Sequence, residues 1–138
     1  MFLLQSPLLT NAEVFTSMPA QYRRTGKHSV WADANRGGAP VDSFLEGPVF
    51  DTVGNLYVTD IPFGRIFGID TTGKWTLVAE YDGEPNGMKF LNERELLIAD
   101  YKNGLMSCDI GSGAVRPFLT RRNSESFKGL NDLVFDSK

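Results

Sequence analysis

The feature that most constrains the fold is a repeat of about 40 residues that begins at Glu46. Glu46 corresponds to Asn86 at an offset of 40 residues, and the run that ends at Asp60 corresponds to the run that ends at Asp100. A third copy begins at Lys128 and, after five extra residues in a polar loop, brings Asn131 to the same position. A regular period of this length is typical of folds in which one supersecondary unit recurs.

Each repeat consists of short apolar runs separated by Gly, Asn, Asp or Pro, which predicts short β-strands joined by tight turns. No window shows an extended apolar period of 3.6 residues, so no helix is predicted. Four short strands in about 40 to 45 residues match one β-propeller blade. A sandwich of regular hairpins is the alternative, but it does not predict matched Asp and Gly positions. We therefore predict an all-β chain, with about two propeller blades and the first strand of a third. The predicted strands are 49–50, 56–58, 65–69, 75–79, 88–90, 96–99, 105–108, 115–119 and 133–135.

Residues 1–43 lack the repeat and are predicted to form a leader that lies across the surface of the propeller part, residues 44–138. Val14, Phe15 and Met18 suggest one short edge strand, and Trp31 is the apolar side chain expected to anchor the segment. Because propellers need about four to eight blades to close, the pattern predicts an N-terminal piece of a longer protein. A short product that closes a ring from several chains is the alternative, and the oligomeric state stays open.

Composition excludes several classes of function. A net charge of -3 gives no basic footprint for nucleic acid. The apolar N-terminus is too short to span a bilayer and is a poor secretory signal, so we expect a cytoplasmic protein without a membrane partner. The single cysteine, Cys108, rules out an internal disulfide and a Cys-based zinc site, and its setting predicts a buried residue. The single histidine, His28, is expected at the surface, and no nucleophile elbow supports a catalytic triad.

The start of each repeat is the best candidate for a functional site. The first strand of a propeller blade lines the central channel, so equivalent positions at its start form a ring around one end of the axis. Glu46, Asn86 and Asn131 would place one carboxylate and two carboxamides in that ring. Hard divalent cations such as calcium, magnesium or manganese take these oxygen ligands. Each residue is also an ordinary turn residue, and it is their shared position that favours a ligand set.

Three motifs carry a resemblance to a known family. They are F-L-E-G-P-V-F-D-T-V-G-N-L-Y-V-T-D from Phe44, P-N-G-M with L-L-I-A-D-Y-K-N-G-L from Pro85, and L-N-D-L-V-F-D from Leu130. From about residue 44 to the end, the chain resembles the senescence marker protein (regucalcin)/gluconolactonase family. The resemblance implies a six-bladed propeller that hydrolyses small-molecule sugar lactones with one divalent cation, which could be calcium, zinc, magnesium or manganese.

The resemblance also implies roles for the residues at the repeat starts. Glu46 is expected to be a metal ligand, Asn131 to lie by the metal and contact substrate, and Asn86 to occupy the equivalent place in the second blade. The arginine that the family uses for substrate contact is replaced here by Gly129. The catalytic acid/base, an aspartate in the family, is expected beyond Lys138, so these residues alone are expected to be inactive. A propeller that serves only as a binding scaffold is the non-enzymatic alternative.

Overall fold

The structure is a computed structural model that describes residues 8–136, and it contains two four-stranded antiparallel sheets of the same topology. Each sheet is a meander whose strands follow in chain order, β1-β2-β3-β4 and β5-β6-β7-β8. The strands are β1 (Leu45–Phe50), β2 (Leu56–Asp60), β3 (Arg65–Ile69), β4 (Trp75–Glu80), β5 (Pro85–Phe90), β6 (Glu95–Asp100), β7 (Gly104–Asp109) and β8 (Ala114–Leu119).

The all-β propeller prediction is confirmed, and the two sheets are neighbouring blades. Their first strands, β1 and β5, contact each other, while the pairing of strands stays within each sheet. The apolar side chains of both sheets form one shared core, so each blade removes the apolar surface of the other from water. The fully or nearly buried members of this core are Tyr57, Ile66, Ala79, Met88, Leu96, Ile98, Met106 and Cys108.

The two blades repeat even in their irregularities. The pairing of each third strand with its fourth slips by one residue, between Ile66 and Phe67 in the first blade and between Leu105 and Met106 in the second. The turns that join these strands both begin with an aspartate, and its carboxylate accepts backbone N–H groups two to four residues further on. Such turns fix the register of the strands that they connect.

Eight of the nine predicted strands are present, and the third repeat is represented by a segment without strand partners. Residues 133–135 pair with no other strand in the described range 8–136. The segment contacts the second blade where the Gly87 N–H donates to the Asn131 carbonyl at 2.7 Å. The polar loop before it contains a small hairpin, β9 (Arg121–Arg122) with β10 (Glu125–Ser126), which the sequence had not indicated.

The leader contains a short helix, α1 (Val30–Arg36), which corrects the prediction that the chain has none. The Ser29 hydroxyl caps its N-terminus by accepting from the Ala32 N–H, and Gly37 ends it in the left-handed conformation. Seven residues are too few to show an apolar period in the windows that reveal helices. Helix α1 packs on the 3-10 turn Ile61–Phe63 with Ala32 fully buried, so tertiary packing stabilises it.

The predicted edge strand at residues 14–18 is wrong. Val14 and Phe15 are exposed, and Met18 is buried in a second core cluster on the outer face of the first blade. Thr16 attaches the segment through its side chain instead, because its hydroxyl donates to the Gly73 carbonyl and accepts from the Trp75 indole. A second 3-10 turn, Ala20–Tyr22, follows this segment. Residues 1–7, on which the membrane and secretion predictions partly rest, and residues 137–138 lie outside the described range.

Candidate functional site

The structure brings the three predicted site residues together. Glu46, Asn86 and Asn131 all line a cavity of ≈ 220 Å³ at the end of the blades where the repeats begin. A second cavity, of ≈ 230 Å³, is lined by the same three residues together with Asp132 and Lys89. Glu46 and Asn131 are exposed and Asn86 is half-buried, so all three side chains are accessible to a ligand. Their roles as ligands stay predictions.

A bulge lies at the start of each blade, next to these side chains. In β1 the register advances three residues, from Glu46 to Val49, while β2 advances only two. In β5 it advances from Pro85 to Met88 while β6 again advances two. One extra residue bends a strand and redirects a side chain out of the regular alternation. The same irregularity therefore occurs beside Glu46 in the first blade and beside Asn86 in the second.

Two glycines let the repeat starts approach one another. Gly47 has φ +56, and a Cβ there would lie 2.1 Å from the Asn86 carbonyl oxygen. A Cβ on Gly87 would lie 2.1 Å from Asp132 Oδ1 and 2.7 Å from its Cα. Only residues without a side chain permit these approaches. The Thr59 hydroxyl, on the residue that pairs with Glu46, also donates to the Asn86 carbonyl at 3.1 Å.

Buried aspartates hold the segments that lead into the site. Asp60 Oδ1 accepts from the Phe44 N–H at 2.7 Å, and Asp100 Oδ2 accepts from the Glu84 N–H at 3.1 Å. Both carboxylates are fully buried, and these bonds end two residues before Glu46 and Asn86. The matched aspartates, each the last residue of the second strand of its blade, thus have a structural role.

The cavity has an aromatic wall that the sequence did not reveal. Trp31 of α1, Phe44 and Tyr101 line it together with the polar residues, and Asn35 of α1 also contributes to the lining. Trp31 had been assigned only an anchoring role, and α1 was not predicted. The Ser29 and Gly37 caps, seven residues of helix apart, were the signal that could have located this part of the wall.

The residues present fit a hard cation in part. The donors around the two cavities are carboxylate and carboxamide oxygens, from Glu46, Asn86, Asn131 and Asp132. These are the ligand types that calcium, magnesium and manganese take. In residues 8–136, no group of three or more His, Cys, Asp or Glu side chains is close enough to hold a metal. The amides would therefore have to take part in any coordination there.

Three residues that the sequence analysis considered do not contribute a side chain to the cavity. His28 is exposed and lies 3.7 Å from the Asp33 carboxylate. Cys108 is buried, and desolvation, with a smaller effect of Asp109, raises the pKa of its thiol to about 11, so it is protonated at neutral pH. Gly129 donates its N–H to the Tyr101 carbonyl at 2.9 Å and places no side chain at the site.

Comparison with known families matches residues 44–138 to the SMP-30/Gluconolactonase/LRE-like region. The chain belongs to this family, whose members include lactonases and whose fold is a β-propeller. A search of the curated proteins found no match. None of the helices in the described residues is both long and apolar enough to cross a membrane.

Proposed function

We propose that this protein hydrolyses a sugar lactone in the cavity at the repeat starts and uses one divalent cation to do so. The observation that supports the proposal is that Glu46, Asn86 and Asn131, which lie far apart in sequence, line one cavity. Membership of a family that includes lactonases supports the same reaction class.

Glu46 would hold the cation, because its carboxylate is the only charged group among the residues described around the ≈ 220 Å³ cavity. Within the described residues, its carboxylate accepts one long hydrogen bond, 3.4 Å, from the Gly47 N–H to Oε2. A carboxylate so weakly engaged keeps its lone pairs for a ligand. When bound, a divalent cation would polarise the lactone carbonyl and lower the pKa of a water molecule.

Asn86 and Asn131 would orient the groups around the lactone. A carboxamide offers one acceptor oxygen and two N–H donors, so it can bind a cation, a water or a hydroxyl without adding charge. Their backbones are fixed by the Thr59 and Gly87 hydrogen bonds. A fixed backbone reduces the entropy lost when the side chain binds. The general base is not assigned to any of the described residues.

The test is Glu46→Gln in the full-length protein, with Glu93→Gln as the matched control on an exposed turn away from the cavity. We expect Glu46→Gln to weaken binding of the activating cation on the order of tenfold or more, because one formal ligand charge is lost. Hydrolysis of gluconolactone should fall with it, whereas Glu93→Gln should leave both unchanged.

Calorimetry with calcium, zinc, magnesium and manganese in turn, together with gluconolactone hydrolysis, would measure these effects. Cation affinity that is the same in Glu46→Gln and the parent protein would disprove the ligand assignment. Failure of the parent protein to hydrolyse lactones with any of these cations would favour the non-enzymatic scaffold instead.

A further inference from the structure

The ≈ 220 Å³ cavity has two chemically different walls. One wall carries oxygen and nitrogen donors and acceptors, from Glu46, Asn86 and Asn131. The other is largely aromatic, and helix α1 contributes Trp31 to it. Pockets of this kind hold a ligand by apolar contact and fix its orientation with a few polar groups. The proposed hydrolysis uses the polar wall and leaves the role of the aromatic wall open.

The aromatic wall is already assembled in the structure. The Trp31 and Phe44 rings lie 4.8 Å apart between centroids, with an angle of 42° between their planes. Phe44 is held in turn by the bond from its N–H to the buried Asp60 carboxylate. A rigid aromatic surface binds without the entropy cost of ordering loose side chains.

Helix α1 fixes the position of Trp31 and places the Asn35 side chain one turn further along. Ala32, the next residue, is fully buried, so rotation of the helix would expose apolar surface. The Asn35 side-chain N–H donates to the Trp31 carbonyl at 2.9 Å. This bond uses one N–H of the Asn35 amide within the helix. The Asn35 side-chain carbonyl oxygen is then available to accept a hydrogen bond from a ligand hydroxyl.

We propose that helix α1 is the substrate-selecting wall of this site, with Trp31 stacking on the carbon–hydrogen face of a sugar lactone ring. The inference rests on the proposed function, because the polar wall is taken to hold the lactone carbonyl. A sugar ring presents C–H groups on its faces and hydroxyls at its rim, so an indole covers the face while Asn35 contacts the rim.

The charge of the cavity narrows the substrate class. No lysine or arginine is among the described residues that line the ≈ 220 Å³ cavity. Away from the cation that Glu46 is proposed to hold, a phosphate or carboxylate on the ring would lose hydration without gaining a cationic partner. We therefore expect uncharged, single-ring sugar lactones to bind better than their phosphorylated or carboxylated counterparts.

The experiment compares Trp31→Ala and Trp31→Phe in the full-length protein, with Arg36→Gln as a control on an exposed position of the same helix. We expect Trp31→Ala to raise KM for gluconolactone about tenfold and to leave kcat within about twofold, because apolar contact area and aromatic stacking are lost. Trp31→Phe should raise KM less, and Arg36→Gln should change neither constant.

A second measurement separates ring recognition from hydrolysis. Anhydroglucitol has a sugar ring without a lactone carbonyl, and its affinity is measured by calorimetry with the activating cation present. We expect Trp31→Ala to weaken this binding about tenfold without altering cation affinity. Circular dichroism checks that the variants are folded, and if Trp31→Ala is not, Trp31→Phe should still weaken ring binding by about two- to threefold.

The outcomes distinguish the two proposals. Suppose that the parent protein hydrolyses lactones and that both Trp31 variants keep its KM and its anhydroglucitol affinity. This result would overturn the role of α1 and leave the proposed function intact. Trp31-dependent binding of anhydroglucitol without lactone hydrolysis would support the stacking wall and count against the proposed reaction. Equal affinity for neutral and phosphorylated rings would overturn the charge selection.

Discussion

The two blades place a buried aspartate at the same position but neutralise it in different ways. Asp60 forms an ion pair with Arg65, in which both side chains are almost completely buried. Among the described residues Asp100 has no such cation, and it accepts instead from the Tyr81 hydroxyl and from three backbone N–H groups. The comparison shows that the repeat preserves the backbone geometry that needs an acceptor there, whereas each blade supplies its own donors.

The largest expected effect is the loss of the cation in the first blade. Arg65→Met leaves Asp60 buried without its ionic partner, and also removes the donor to the Tyr22 carbonyl. We expect the free energy of unfolding to fall by about 3–5 kcal/mol, the usual effect of breaking a buried ion pair. Urea unfolding of the full-length protein at neutral pH measures it.

Two further variants make this result specific. Arg94→Met breaks an ion pair with Asp109 that is largely exposed on the arginine side, and it should cost far less. Asp60→Asn combined with Arg65→Met should recover part of the loss, since no charge is then left buried. Equal losses for Arg65→Met and Arg94→Met would contradict the distinction between the two aspartates.

A smaller effect is expected in the second blade. Tyr81→Phe removes one donor from Asp100, but the three backbone N–H donors remain. The loss in unfolding free energy should be about 1.5–3 kcal/mol, as for one hydrogen bond to a charged group. The same urea titration measures it, and a loss as large as that of Arg65→Met would show that Tyr81 is the main partner of Asp100.

The smallest effect is a pH dependence that arises from Glu84, at the entry to the second blade. Burial, followed by the Asp100 carboxylate, raises the pKa of Glu84 above its ordinary 4.5. Protonation therefore favours the folded state: stability is gained below the ordinary pKa and lost as the pH rises through the raised value. The equivalent position in the first blade is Phe44, which does not titrate.

Glu84→Gln should remove this dependence and slightly stabilise the protein at neutral pH. Hydrogen exchange of the β5 and β6 amides, compared below and above the ordinary glutamate pKa, would follow it locally. The neighbouring Lys102 and Lys128 oppose the shift, whereas Asp82 reinforces it. A pH dependence that is unchanged in Glu84→Gln would assign it to another group.

The sequence predicted those parts of the structure that depend on periodicity. The 40-residue offset located eight strands and placed Glu46, Asn86 and Asn131 at one end of the fold, because equivalent residues of a repeat occupy equivalent places. The partners of Asp60 and Asp100 could not be predicted in the same way. They come from side chains such as Arg65 and Tyr81, which differ between the repeats.

Helix α1 is a second feature that the sequence did not predict. Its seven residues are held by Ala32 packing and by end caps, and neither produces a long periodic pattern. The aromatic wall was missed for the same reason, since Trp31 reaches the cavity only through the tertiary position of that helix. The division of the chain into a leader and a propeller part at residue 44 remains a prediction.

The bulge at the start of each blade has a consequence for how such a site diversifies. Glu46 and Asn86 lie next to the bulge on the first strand of their sheets, and neither belongs to the buried core. Exchanging the two residues is therefore expected to move the negative charge from the start of the first blade to the start of the second. In a propeller built in this way, the same strands can carry the negative charge at the start of one blade or of another.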